Sequence, residues 1–145
     1  MKNIQIYLSG GMQKYGSENF DESNGWRLYC QKVLQSYDSN LCVEVINPND
    51  YFNFQDDPKQ YDTQDEVMRF DLYKLRNSDL VIVNFNDVSS LGTMAEIAIA
   101  YDRNIPIIGL DKEKQNLHPW QTSMCERIFN NMNDMLDYVE DFYLR

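Results

Sequence analysis

The stretch from residue 78 to residue 101 constrains the fold more than any other: Ser-Asp-Leu-Val-Ile-Val-Asn-Phe-Asn-Asp-Val-Ser-Ser-Leu-Gly-Thr-Met-Ala-Glu-Ile-Ala-Ile-Ala-Tyr. Leu80, Val81, Ile82, Val83 and Phe85 make a short apolar run rich in β-branched residues, the pattern of a central parallel strand covered on both faces. Ser89, Ser90 and Gly92 break that run. A helix is then predicted to begin at Thr93. Ile97, Ala98, Ile99, Ala100 and Tyr101 leave it almost no polar face, which predicts deep packing. The turn between strand and helix is the expected place for a site.

Glu96 is the one charge in that helix, and it supports two readings. In the first, Thr93 is the N-cap and Glu96 reaches back to it in a capping box. In the second, a carboxylate in the first helical turn at the mouth of a strand-turn-helix is held ionised by the helix dipole and aimed at a ligand. The two are compatible, since a cap can also position a nucleophile.

At 145 residues the chain suits a single domain, 1–145, with a core that needs no covalent staples. Its cysteines, Cys30, Cys42 and Cys125, are odd in number and widely spaced, which indicates neither a disulfide framework nor a zinc site and predicts buried, reduced thiols. His118 reads as a helix-start residue, so no metal is expected. A net charge of −10 argues against a nucleic-acid surface, although backbone amides and hydroxyls can still hold one small phosphate. No apolar run approaches membrane-spanning length and no basic-then-apolar leader opens the chain, so a cytoplasmic protein is expected.

Taken in order, residues 4–8 predict a first strand, ending in Tyr7-Leu8-Ser9-Gly10-Gly11-Met12. Adjacent glycines there permit close approach of a ligand, but a tight strand-to-helix turn explains them equally well. Residues 13–24 read as a flap. A helix over 25–37 carries the stripe Trp26, Tyr29, Val33 and Tyr37, and a strand follows at 42–46. Residues 49–62 read as an acidic, aromatic loop whose Tyr51, Phe52, Phe54 and Tyr61 either stack on a base or pack the loop onto the body.

A helix over 63–77 places Asp71 on the stripe of Met68, Leu72 and Leu75; such a carboxylate needs partners or a purpose, and an edge position paired with Lys74 or a nearby arginine is the plainer option. Residues 105–110 predict another strand, residues from His118 through Met124 a short helix, 127–130 an edge strand and 132–143 an amphipathic helix. The alternation gives an α/β fold: a single doubly wound, Rossmann-like or flavodoxin-like five-stranded parallel sheet with helices on both faces. Its crevice should open between the first and third strands, at 7–12 and 86–96.

These residues carry a resemblance. Tyr-Leu-Ser-Gly-Gly-Met at 7–12, Phe-Asp-Leu around Asp71, Ser-Asp-Leu-Val-Ile-Val at 78–83 and Gly-Thr-Met-Ala-Glu-Ile at 92–97 resemble, in order and spacing, the nucleoside 2-deoxyribosyltransferase superfamily, which includes nucleoside 5'-monophosphate N-glycosidases. The resemblance implies that Glu96 is the nucleophile that expels the base and forms a glycosyl-enzyme intermediate. It implies that Tyr7 orients Glu96, and that Asp71 handles the proton on the base or steadies the sugar. Gly10, Gly11 and Met12 would line the base pocket, and no cofactor is implied.

One departure bears on the substrate. Transferases of free nucleosides typically have an aspartate six residues before the nucleophile, holding the 5'-hydroxyl; here that residue is Ser90. A hydroxyl beside Gly92 and Thr93 suits a 5'-phosphate, as in the nucleotide N-glycosidases, although those tend to carry a serine where this chain has Gly11. Ser123, or Thr122, from a neighbouring subunit would complete the phosphate site, since family sites are shared across a homodimer or higher oligomer. The resulting expectation is an enzyme of nucleotide salvage that cleaves the N-glycosidic bond of a (2'-deoxy)nucleoside 5'-monophosphate. Transfer of the deoxyribosyl group between bases is the alternative. A non-catalytic nucleotide sensor and a flavodoxin-like cofactor carrier stand behind these.

Overall fold

The apolar runs become strands of one parallel sheet in the computed structural model, which describes residues 2–11, 20–51 and 64–145. These are β1 (Asn3–Gly10), β2 (Cys42–Ile46), β3 (Leu80–Asn84), β4 (Ile107–Leu110) and β5 (Arg127–Phe129), in the order β2-β1-β3-β4-β5. The order reverses between β1 and β3, as expected. There Tyr7 pairs with Val81, Ser9 with Val83 and Gly10 with Asn84. β1 runs longer than the predicted 4–8 because it is flanked on both sides, and its last residues are held by β3 alone.

Alternation along the strands divides the interior in two. Ile4, Ile6 and Leu8 face one way and pack with Leu80, Ile82, Ile108 and Leu110 under α1 (Phe20–Gln35) and α5 (Met132–Tyr143). Tyr7, Val81, Val83 and Ile107 face the other way, toward α2 (Gln64–Arg76) and α3 (Leu91–Asp102), while α4 (Pro119–Met124) lies beside α3. Every residue of β3 is buried, consistent with a strand covered on both faces. Each such fully buried aliphatic side chain contributes about 1.5–3 kcal/mol.

Several sequence expectations are corrected. α1 begins at Phe20, so the flap read over 13–24 gives way to helix at its C-terminal end, while 12–19 lie outside the described residues. A polar stretch is no bar to a helix start, because first turns accept acidic residues readily. The buried stripe of α1 is Arg27, Cys30 and Leu34, whereas Tyr29 is exposed. On α2 the buried positions are Val67 and Leu75, with Met68 turned to solvent. β4 starts at Ile107, the preceding Pro106 serving only as acceptor to the Val81 amide. Cys42 is exposed on edge strand β2; Cys30 alone is fully enclosed.

α3 is not packed all round. Thr93, Ile97 and Ala100 are buried, but Leu91 is 85% and Tyr101 57% exposed, leaving one apolar face open in the single chain. Of the loop read over 49–62, residues 52–62 lie outside the described residues. Within it Tyr51 packs on Phe70 with ring centroids 5.0 Å apart, the body-packing option. Among the described residues no helix is long and apolar enough to cross a membrane.

Candidate active site

The strand period brings Tyr7 and Ser9 to the α3 face of the sheet, and the helix period puts Glu96 on the buried side of α3, between Thr93, Ile97 and Ala100. The three side chains meet. Tyr7 Oη donates a short hydrogen bond to Glu96 Oε2, and Ser9 Oγ donates to Oε1 at 2.9 Å. Both carboxylate oxygens are thereby oriented by neutral hydroxyls.

This geometry overturns the capping box. The N-cap of α3 is Ser90, whose Oγ accepts from the Thr93 amide at 3.3 Å and from Thr93 Oγ1 at 2.9 Å. Glu96 therefore lies in the second turn and caps nothing. The stretch contains two overlapping start signals three residues apart, Ser90 to Thr93 and Thr93 to Glu96, and the structure uses the first. A side chain on a regular helical turn is held more firmly than one on a loop.

Asp71 reaches the same site from α2. Burial, followed by the charge of Glu96, pushes its carboxyl from the ordinary range up to about 7, and Arg27 opposes the rise. The Lys74 ammonium does not take up Asp71; it sits over the Tyr51 ring at 5.3 Å and the Phe70 ring at 5.7 Å. Glu96 is also raised by burial, while the hydrogen bonds from Tyr7 and Ser9 and the charge of Arg27 pull it back. Burial and the two carboxylates hold the Tyr7 phenol well above its usual value, so Tyr7 stays a donor.

The glycines at the end of β1 are filled in by the protein's own atoms. A Cβ on Gly10 would stand 2.9 Å from Trp26 Cζ2 and 3.3 Å from Arg27 Nη2. One on Gly11 would stand 2.8 Å from Asp87 Cβ. The Gly11 amide donates to Asn86 Oδ1 at 2.9 Å, and Asn86 Nδ2 donates back to the Gly11 carbonyl at 3.1 Å. Met12 lies outside the described residues.

Around Gly92 the space is open: apart from its chain neighbours and the helix's own backbone, no atom of the described residues lies within 4 Å of where a Cβ would be. Ser90 and Thr93 sit at that end of α3. Ser123 is on the exposed surface of α4, in a hollow it shares with Tyr101 and Asn104 at the other end of α3, so the single chain does not gather it with Ser90. Thr122 donates its hydroxyl proton to the Pro119 carbonyl within α4. His118 is the N-cap of α4, accepting from the Trp120 amide through Nδ1 at 3.1 Å, the helix-start role read from sequence. Among the described residues no cluster of His, Cys, Asp or Glu is arranged to hold a metal.

Sequence reasoning alone does not single out Ser9 or Arg27. Ser9 is two residues from Tyr7 on a strand and so shares its face. Arg27 falls at i, i+3, i+7 with Cys30 and Leu34, the same anomaly of a charge on an apolar stripe that marks Asp71.

A carboxylate held by two hydroxyls, with a second carboxyl raised to about 7 in its field, thus stands at the switch point of the doubly wound sheet, where such sheets bind their ligands. Residues 15–139 match the family described as nucleoside 2-deoxyribosyltransferase, and the chain belongs to that family. Membership makes it an enzyme acting on N-glycosidic bonds. The fold is similar to that of a conserved protein from Enterococcus faecalis V583, at 15% identity, TM-score 0.73 and coverage of 95% of this chain and 98% of that one. It is also similar to a 2-deoxyribosyltransferase from Bacillus psychrosaccharolyticus, at 16% identity, TM-score 0.69 and coverage of 92% and 91%. A CMP N-glycosidase from Clostridium botulinum shares 20% identity, with TM-score 0.55 and coverage of 97% and 99%. No curated protein matches the sequence.

Proposed function

We propose that the enzyme cleaves the N-glycosidic bond of a 2'-deoxynucleoside 5'-monophosphate through a glycosyl-enzyme intermediate on Glu96, releasing free base and sugar phosphate. The observation that carries this reading is the joint placement of Glu96 under the Tyr7 and Ser9 hydroxyls with Asp71 in its field. A Glu96 oxygen attacks the anomeric carbon, and the C–N bond breaks with its electron pair passing to the base. The Asp71 carboxylic acid, protonated up to about pH 7, gives its proton to the departing base. Water then attacks the same carbon, the bond to Glu96 breaks, and the water's proton returns to Asp71. Gly10 and Gly11, at the end of β1, would stand on the base side.

Ser90 supports the choice of a phosphorylated substrate. Its Oγ accepts from Thr93 and still has its own proton to donate, beside the first amides of a 12-residue helix and the open space at Gly92. Incubating the purified chain with a panel of nucleosides and 5'-monophosphates, with and without a foreign base, tests the reading by chromatography. Base release from monophosphates in preference to nucleosides is expected. Ser90→Asp should reverse that preference by roughly tenfold or more through charge repulsion. Equal turnover of both classes by the parent would remove the phosphate from the proposal.

Transfer is the second reading, favoured by the family's description. A foreign base and water compete for the same intermediate, so a new nucleoside or nucleotide in the mixture identifies it. Both activities belong to nucleotide salvage and suit the cytoplasm, which cell fractionation checks.

The open face of α3, continued by exposed Trp120 on α4, supports a homodimer or higher oligomer in which Ser123 of a neighbour completes the phosphate site. Sedimentation should give at least twice the chain mass. Ser123→Ala should raise the KM for a monophosphate severalfold with little change for a nucleoside. A monomer at working concentration would exclude Ser123 from the site.

A further inference from the structure

Two glutamines of the segment after β4 bond their side-chain amides to backbone carbonyls of the loop between β3 and α3. Gln115 Nε2 donates to the Phe85 carbonyl at 2.6 Å and to Asp111 Oδ1 at 3.0 Å, and the Gln115 backbone amide donates to Asp111 Oδ2 at 2.9 Å. Asp111 is buried just past β4, and the Phe85 amide donates to the Leu110 carbonyl at 2.8 Å, so the start of the loop is fixed.

Gln121, on α4, is 3% exposed, and both ends of its amide are engaged. Oε1 accepts from the His118 amide at 2.8 Å, which sets the orientation of the group and leaves Nε2 to donate to the Val88 carbonyl at 3.2 Å. A buried amide with one end idle is costly, so each of these bonds helps to keep the other in place.

Val88 lies inside the turn that delivers Ser90. The Ser90 amide donates to the Asp87 carbonyl at 3.2 Å, and the Ser90 side chain then caps α3. Planar peptides leave few free dihedrals between the held carbonyl and the Ser90 hydroxyl. Glu96 is held from elsewhere, by Tyr7 and Ser9 on β1.

We propose that Gln121 is a positioning residue for the 5' group of the substrate: through the Val88 carbonyl it fixes the turn that presents the Ser90 hydroxyl, and so governs affinity without touching substrate or altering the chemical step. This rests on the role given to Ser90 above.

The test compares Gln121→Met, which keeps the length of the side chain and loses its amide, with His118→Ala. The second variant strips the Nδ1 cap from the Trp120 amide but keeps the backbone amide that orients Gln121, so it loosens α4, and Ser123 on it, without cutting the tie to Val88. For Gln121→Met the KM for a deoxynucleoside monophosphate should rise about fivefold, with kcat and the KM for a nucleoside changed less than about twofold. His118→Ala should leave all three within about twofold of the parent. An equal rise in KM in both variants means general loosening of α4 and overturns the proposal, as does an unchanged KM in Gln121→Met or a loss confined to kcat.

Hydrogen exchange followed by NMR supplies a readout that needs no turnover. The Ser90 amide should exchange about tenfold faster in Gln121→Met and at the parent rate in His118→Ala. In the parent alone, the Gln121 side-chain amide protons should be protected, and free exchange there overturns the proposal even if no variant folds. A parent that does not prefer monophosphates would remove the phosphate from Ser90; faster exchange at Ser90 in Gln121→Met would then leave Gln121 standing as the residue that holds the turn, and unchanged exchange would remove that as well.

Discussion

Glu96→Gln is expected to reduce base release by roughly a thousandfold or more, because the amide cannot form the glycosyl ester. The fold should survive. The introduced amide can re-form hydrogen bonds with the hydroxyls of Tyr7 and Ser9, and the substitution touches no cap, since Ser90 closes the helix. Burial raises the Glu96 carboxyl, which means that the native state resists its ionisation. A neutral amide removes that penalty, so the variant should unfold at the parent's temperature or above it near neutral pH. Chromatography of released base and a thermal melt on the same preparation check both halves. A variant as active as the parent would take Glu96 out of the mechanism.

The second large effect belongs to Asp71. In the proposed reaction it must hold a proton, and its carboxyl lies near 7. The parent's rate should therefore decline as pH rises through about 7, while the acid limb reports the ionisation of Glu96. Asp71→Asn should lose about a hundredfold or more at neutral pH and lose the alkaline limb with it. Its stability should move the other way. A carboxyl raised from 3.8 to about 7 keeps more protons in the native state than in the unfolded chain between those values, so native stability falls as pH rises across that window. Asparagine carries no such charge, and the variant should be more stable than the parent above about pH 7, on the order of 1 kcal/mol after allowance for partial exposure. Urea unfolding at two pH values measures this. An alkaline limb unchanged in Asp71→Asn would assign the proton transfer to another group.

The parts legible in the sequence are those where a local pattern has one physical meaning. An unbroken β-branched run such as Leu80 to Val83 fits a doubly covered strand, and alternation of such runs with helical stripes implies the parallel sheet and the reversal between β1 and β3. Asp71 and Glu96 stand out as charges on apolar stripes. The same logic reaches Arg27, but the aromatic spacing of Trp26, Tyr29, Val33 and Tyr37 suggests a different inner face for α1, and Tyr29 is exposed. The start of α3 is ambiguous in sequence because Thr-x-x-Glu is as good a cap pattern on paper as Ser-x-x-Thr. Only the distance from β1 shows that Glu96 is engaged by Tyr7 and Ser9. Nor can composition say that an apolar helix is covered on one face only, which is the state of α3 in the single chain.

The pair of hydrogen bonds between Asn86 and the Gly11 backbone lies just past the last register pair of the two central strands, Gly10 with Asn84. A side-chain amide is a peptide group in miniature, offering one acceptor and one donor, and here it acts as an extra rung on the ladder. Strands that would begin to diverge at this point are kept side by side for one more step. The end of the seam between the two central strands, where the sheet order reverses, is thus tied by the side chain of an asparagine.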